Sequence, residues 1–252
     1  MYQKNYWERK ELDKRRRVTH PVIAEYVLSK ISMLKKIVPF TERTTLLDVG
    51  CGNGFFTYYF DKICKTVGVD FSEKMVRLNP LKPGQKGLMD AAGGLAFRDS
   101  SFDVVFCHAV LHHVADIDAV VREMARVSKK YVIVLEPNRG NPLMFLFSLI
   151  IKEERKALKF SLRYLERIVG RNGLKIIAAF SCGMIVPNQM PSFLVPVVRH
   201  LNFKQPFGMT NFIIAEKVPS ATRGAFLKNR PPGPPEKLFI ALRAIDLPSF
   251  EG

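Results

Sequence analysis

The stretch LLDVGCGNGFF, residues 46–56, sets Gly50, Gly52 and Gly54 at alternate positions behind an apolar run that carries Asp48. A glycine-rich turn between a strand and a helix lets a ligand meet the backbone directly, with the N–H groups of the helix N-terminus facing it. One ligand class that uses such a turn is the dinucleotides, whose pattern G-x-G-x-x-G keeps its third glycine for close helix–strand packing. Gly50 and Gly52 fit that pattern, but Phe55 stands where the third glycine belongs. The dinucleotide reading fails at that residue.

Outward from this turn the chain alternates short apolar runs with helical patterns. Strands are expected at TLLDVG, KTVGVD, KGLMD, FDVVFCHA and KYVIVLEP, with helices at 53–63, 72–79 and 116–128. Runs this apolar, separated by helices, imply a parallel sheet covered on both faces. After Pro137 the rhythm changes. Residues 142–170 read as two helices, the first very apolar (PLMFLFSLII) and the second amphipathic (SLRYLERIVGRNG). LKIIAAFSC and TNFIIAEKV then read as an antiparallel pair joined by a long loop rich in proline and phenylalanine. Upstream, Val22, Ile23, Tyr26, Val27, Ile31 and Leu34 recur at helical spacing, and NRPPGPPEK marks a proline-rich linker near the end. The expected organisation is a helical extension over 1–40, one α/β domain over 41–218, and a tail over 219–252.

Composition narrows the setting. The 252 residues include 39 basic and 23 acidic side chains, a net charge of +16. That charge is uneven: residues 41–140 are nearly neutral, with 13 basic and 12 acidic groups, whereas 141–218 carry 11 and 4. Basic flanks of this kind attract nucleic acid, anionic lipid or an acidic metabolite, or simply form a solvated surface. Cys51, Cys64, Cys107 and Cys182 make no C-x-x-C pair, which argues for a reducing compartment and against structural zinc. The N-terminal residues lack the apolar core of a signal peptide, and PLMFLFSLII falls well short of the ~20 residues that span a bilayer. A cytoplasmic protein is expected.

DVGCGNG resembles motif I of the class I S-adenosylmethionine-dependent methyltransferases, where an acidic residue precedes G-x-G-x-G. The resemblance continues through VGVDFS, whose Asp70 takes the place of the family's ribose-binding carboxylate at the end of a second strand. It extends to LMDAAGGLAFRDSSFDVVFCHAVLHHV, which puts Asp90 and Ala91 beside adenine and His108 at the exit of the fourth strand. It covers about 45–137 and departs from many relatives at VSKKYVIV, which lacks their Pro-Gly-Gly turn. It implies a doubly wound, mostly parallel seven-stranded sheet of the Rossmann-like methyltransferase type, with N-terminal helices and a helical lid insertion. S-adenosylmethionine is the implied cofactor. The cofactor-binding set is then Asp48, Gly50, Cys51, Gly52, Asn53, Gly54, Asp70, Phe71, Asp90, Ala91 and His108.

The remaining candidates each carry two readings. Asp48 orients the glycine loop or merely caps a turn; Asp70 grips ribose, caps the helix before SEKM, or both. His108 and His112 have an i, i+4 spacing that could hold a metal on a helix, but the local sequence offers no third ligand and no metal is expected. His108 is a candidate general base, or a helix-start histidine bonded to backbone. Substrate-side candidates are His112, Glu136, Asn138 and Phe145, with loop building as the alternative for Glu136 and Asn138. Residues 142–151 form either a lid over a greasy acceptor or core packing, and Cys51 and Cys107 read most simply as small buried residues. The expected acceptor is a small apolar molecule, quinone-like, lipid or isoprenoid, resting on Phe145, Phe147, Leu149 and Phe193. RNA or protein is the alternative acceptor, a non-catalytic cofactor-binding protein a third reading, and peripheral membrane contact is compatible with the apolar-then-charged pattern around 151, which ordinary helix ends share.

Overall fold

A computed structural model describes residues 17–89, 94–187 and 190–218. Seven strands form one sheet: β1 (Thr45–Val49), β2 (Lys65–Asp70), β3 (Lys86–Leu88), β4 (Phe102–His108), β5 (Ser128–Pro137), β6 (Leu174–Cys182) and β7 (Thr210–Lys217). Their order is β3-β2-β1-β4-β5-β7-β6. The first five are mutually parallel, and β7 runs antiparallel to both β5 and β6. This is the doubly wound sheet expected from the alternation of runs, with the expected antiparallel pair at one edge. β3 is shorter than KGLMD suggested.

Alternation along each strand builds two cores. Leu46, Val104, Phe106, Ile133 and Leu135 point to one face, where α1 (Pro21–Lys35) and α2 (Phe55–Phe60) cover them with Ile23, Val27, Phe56 and Phe60. The residues between them, Leu47, Val49, Val105, Cys107 and Val134, face the other way. There α4 (Ile117–Val127) and α6 (Leu162–Arg171) lay down Val121, Met124, Leu165 and Val169. The pairings Leu46↔Val104 and Leu47↔Val105 keep each set on its own side, because a side-chain period of two admits no slip. A fully buried phenylalanine such as Phe60 stabilises the fold by about 1.5–3 kcal/mol. α1 thus belongs to the sheet's own packing, with Pro21 in its first turn and the His20 side chain accepting from the Val22 amide.

The rest of the chain follows its capping residues. α3 (Glu73–Leu78) starts at Ser72, whose hydroxyl accepts from the Met75 amide, and α4 starts at Asp116, which accepts from the Ala119 amide. α4 runs straight into β5 at Ser128, so this chain uses no separate turn where relatives have Pro-Gly-Gly. α5 (Pro142–Ile150) is capped by Asn141 and followed by a 3₁₀ stretch, Lys152–Lys159, before α6. Short helical turns at Ser192–Leu194, α7 (Val195–Val198) and Arg199–Leu201 occupy the long β6–β7 connection. β1 and β4 are sheet neighbours although β2 and β3 intervene in sequence. Their adjacent carboxyl ends make the switch-point crevice in which open α/β sheets bind ligands. No helix among the described residues is long and apolar enough to cross a membrane.

Candidate active site at the β1/β4 switch point

A cavity of about 510 Å³ opens at that crevice, within the usual range for a small-molecule site. Its walls include Asp48, Gly50, Cys51, Gly52 and Asn53 from the glycine turn, and Asp70 and Phe71 from the end of β2. The three glycines all take positive φ, at 71°, 53° and 92°, but for different neighbours. A Cβ on Gly50 would lie 2.3 Å from Val110 Cγ2, and one on Gly54 would lie 2.6 Å from Pro80 Cδ. Only Gly52 has nothing within 4 Å of that position. The three absent side chains thus serve different neighbours: Gly50 lines the cavity while making room for the β4 exit loop, Gly54 makes room for the loop after α3, and Gly52 faces open space.

The two aspartates are both buried. Asp48 is pushed well above the usual carboxylate range by burial and then by the nearby Asp70, against the Thr57 amide that bonds it. Bonding to the first turn of α2 fits the loop-orienting reading. Asp70 accepts from the Gly52 amide at 2.8 Å and from the Ser72 amide at 2.9 Å. It is not the helix cap, since Ser72 holds that place; instead it ties the tip of the glycine turn to the end of β2. Burial raises the Cys51 and Cys107 thiols, with neighbouring carboxylates adding to the effect, so both stay protonated. Asp90 and Ala91 lie outside the described residues.

The exit of β4 is a tight turn and not a helix. Ala109, a non-glycine residue, sits at φ 54°, and His113 N–H bonds Val110 O across the turn. The supposed helical pairing of His108 with His112 is therefore absent, and the two rings have different partners. His108 Nε2 lies 2.7 Å from the Tyr26 hydroxyl of α1, and its ring packs on Phe56. This replaces the helix-start alternative. Burial holds Tyr26 above its ordinary pKa, against a hydrogen bond with Thr210, so it remains a phenol. Tyr26, His108 and Thr210 all line the cavity.

His112 is buried between two carboxylates. Its Nδ1 lies 2.5 Å from Glu136 and its Nε2 lies 3.1 Å from Glu154. Burial alone would lower its pKa, but the charge and hydrogen bonds of Glu136 and then Glu154 override this and push it up to about 9. The other oxygen of Glu136 accepts from the Val110 and Leu111 amides, at 2.8 and 2.7 Å. Glu136 is wholly buried, so its expected contact with substrate is corrected: it holds the β4 exit loop and His112. His112, His113 and Glu154 offer three ligand atoms within 4.8 Å of one another, a set that leaves out His108. With His112 protonated to pH 9, a proton already occupies the Nε2–Glu154 contact.

The far wall of the cavity is apolar. α5 contributes Leu143, Met144, Leu146, Phe147 and Ile150, and the segment after β6 contributes Ile185, Val186 and Pro187. Only Ser148 of α5 is buried, which excludes core packing as the role of this helix. Phe145 is half-exposed and, unlike Phe147, forms no part of the cavity wall, so its expected place against the substrate is corrected in favour of Phe147. Asn138 is also corrected, in favour of loop building. Its amide donates to Pro206 O and Gly208 O and accepts from the Gly140 amide, away from the cavity. Sequence reasoning missed Tyr26 and Glu154. The signal for Tyr26 was a lone hydroxyl within an apolar helical stripe; Glu154 stood in a charged run with nothing to mark it.

Residues 47–135 match a family model described as a methyltransferase domain. A ubiquinone biosynthesis O-methyltransferase from Thiobacillus denitrificans is 36% identical over 91 residues, 33% of this chain and 39% of that protein. A demethylmenaquinone methyltransferase from Geobacillus stearothermophilus is 30% identical over 135 residues, 50% of this chain and 55% of that protein. The chain thus spans well under two thirds of either relative. Among solved structures, a possible histamine N-methyltransferase from Thermotoga maritima, described as S-adenosylmethionine-dependent, superposes with a TM-score of 0.61 at 20% identity. That likeness covers 78% of this chain and 92% of the other. Glycine turn, acidic strand end and sheet order agree with these likenesses, and residues 47–135 resemble a methyltransferase domain.

Proposed function

We propose that this protein transfers a methyl group from S-adenosylmethionine to a small apolar acceptor of the quinone, lipid or isoprenoid type. One observation carries the reading: the open face of Gly52 and the apolar wall of α5 border the same cavity. A cofactor half and an acceptor half within one space is what in-line transfer requires. The quinone methyltransferases among its relatives support the acceptor class.

Bound S-adenosylmethionine would supply an electrophilic sulfonium methyl, which leaves the protein to bind, orient and exclude water. Gly52 gives the cofactor access to the loop backbone. Asp70, which lines the cavity at the end of β2, would accept from the ribose hydroxyls. Phe147 and its neighbours on α5 shelter the acceptor. His108, polarised by Tyr26, takes the acceptor's proton at its ring. His112 is already protonated below pH 9 and does not serve as the base. It ties the Lys152–Lys159 stretch, and so the end of α5, to the β4 exit loop through Glu154.

Incubation with methyl-labelled cofactor and either a demethylated quinone or total lipid extract tests the reading. Label should enter a solvent-extractable product, with little change as salt rises. Label appearing in RNA instead, with a steep fall in salt as counterion release demands, would refute the acceptor class.

A further inference from the structure

Among the described residues fifteen large hydrophobic side chains are exposed, and eleven of them lie on just two segments, α5 and residues 193–207. On α5, Leu143, Leu146 and Ile150 are each more than half exposed while also lining the cavity, so the cavity's mouth opens through this apolar surface. The second segment adds Phe193, 76% exposed, with Val197, Phe203 and Phe207. The segments meet where the Asn141 side chain, capping α5, donates to Phe207 O and Asn138 donates to Pro206 O. Monomeric proteins rarely leave so much contiguous apolar surface without a partner.

The charges on these segments identify the partner. Between 142 and 207 on the lid and the β6–β7 connection, every exposed charged side chain of 142–159 and 191–207 is basic: Lys152, Arg155, Lys156, Lys159, Arg199 and Lys204. The two glutamates there, Glu153 and Glu154, are half-buried, and Glu154 is taken up by His112. Protruding aliphatic and aromatic side chains fringed by lysine and arginine match an anionic bilayer, whose apolar boundary receives the former and whose headgroups receive the latter. Seven of the eleven, the five leucines with Ile150 and Val197, offer nothing for a nucleic acid to stack on, which favours the bilayer over a nucleic acid that only the four phenylalanines could stack against. We propose that α5 and the 193–207 segment form a docking surface for an anionic lipid bilayer, which places the mouth of the cavity against the membrane. An apolar acceptor then enters the cavity without crossing water. The docking surface stands on exposure and charge, and is testable without cofactor or acceptor.

Flotation of the full chain with vesicles of phosphatidylcholine alone, or with about 30% phosphatidylglycerol, supplies the test. The wild type should float with the anionic vesicles and much less with the neutral ones. Phe193→Ser with Phe203→Ser, at exposed positions, should leave the melting temperature unchanged and weaken partitioning by about tenfold or more. Arg155→Glu with Arg199→Glu should weaken it to a similar extent, since each basic side chain near such a surface contributes roughly fivefold. Three results would overturn the proposal. One is absence of flotation with either vesicle. Another is flotation that the phenylalanine changes leave intact, which would place the contact elsewhere on this basic chain. The third is a concentration-dependent dimer abolished by those changes, which would give the surface to a second copy.

Discussion

Replacing His112 by asparagine should change the way stability depends on pH, because the ring is charged in the folded protein over a range where it is neutral in the unfolded chain. Its pKa rises from an ordinary 6.5 to about 9, set by Glu136 and Glu154 against burial. A folded-state pKa above the unfolded value stabilises fully below about pH 6.5, and that contribution disappears as pH rises through 9. This difference corresponds to at most about 3 kcal/mol of stability. For a chain of this length that is roughly 6–12 °C in melting temperature. Burial lowers Lys30 from 10.5 to about 8, so the cost of burying its charge fades as pH rises between those values. It is present in both proteins and cancels in the difference between them. Melting curves of wild type and His112→Asn from about pH 6 to 10 should therefore converge as pH rises. Curves that stay parallel throughout would refute the ion triad. Glu154→Gln should move the convergence to lower pH, since it removes one of the two carboxylates.

The glycine turn gives a three-way contrast. Gly50→Ala and Gly54→Ala should each lose about 1 kcal/mol to positive φ and a further 1–3 kcal/mol to crowding by Val110 or Pro80, read in denaturant midpoints. Gly52→Ala should show only the first loss. Asp70→Asn should weaken cofactor binding about 10- to 100-fold by calorimetry. It should also lower the melting temperature, because the carboxylate bonds two backbone amides. Phe147→Ser should lower kcat/KM for the acceptor at unchanged cofactor affinity, and Phe145→Ser, outside the cavity wall, should leave both unchanged.

Much of the fold was legible in the sequence because its signals are local. Apolar runs such as TLLDV and KYVIVL mark buried strands, whereas the cap of α3 fell to Ser72 and not to the Asp70 that the sequence offered. The glycine turn was legible as the link between β1 and α2, but the division of labour within it was not. Gly50 and Gly54 answer to Val110 and Pro80, which approach from loops 60 and 26 residues further on. The same reason hid the partners of the histidines. His108 finds Tyr26 from α1, and His112 finds Glu136 and Glu154, pairings made by sheet order and lid position that no spacing along the chain encodes. Glu136 and Asn138 were polar residues at the right sheet edge, yet backbone amides and carbonyls claimed both.

Titration calorimetry with S-adenosylmethionine, on the wild type and on Gly52→Val, tests the central claim that this crevice is a cofactor site. The wild type should bind one equivalent. The valine variant, whose branched side chain would fill the space that is open at Gly52, should keep its far-ultraviolet circular dichroism and bind none. A wild type that takes up no S-adenosylmethionine, or a folded valine variant that binds it with unchanged affinity, would contradict the account.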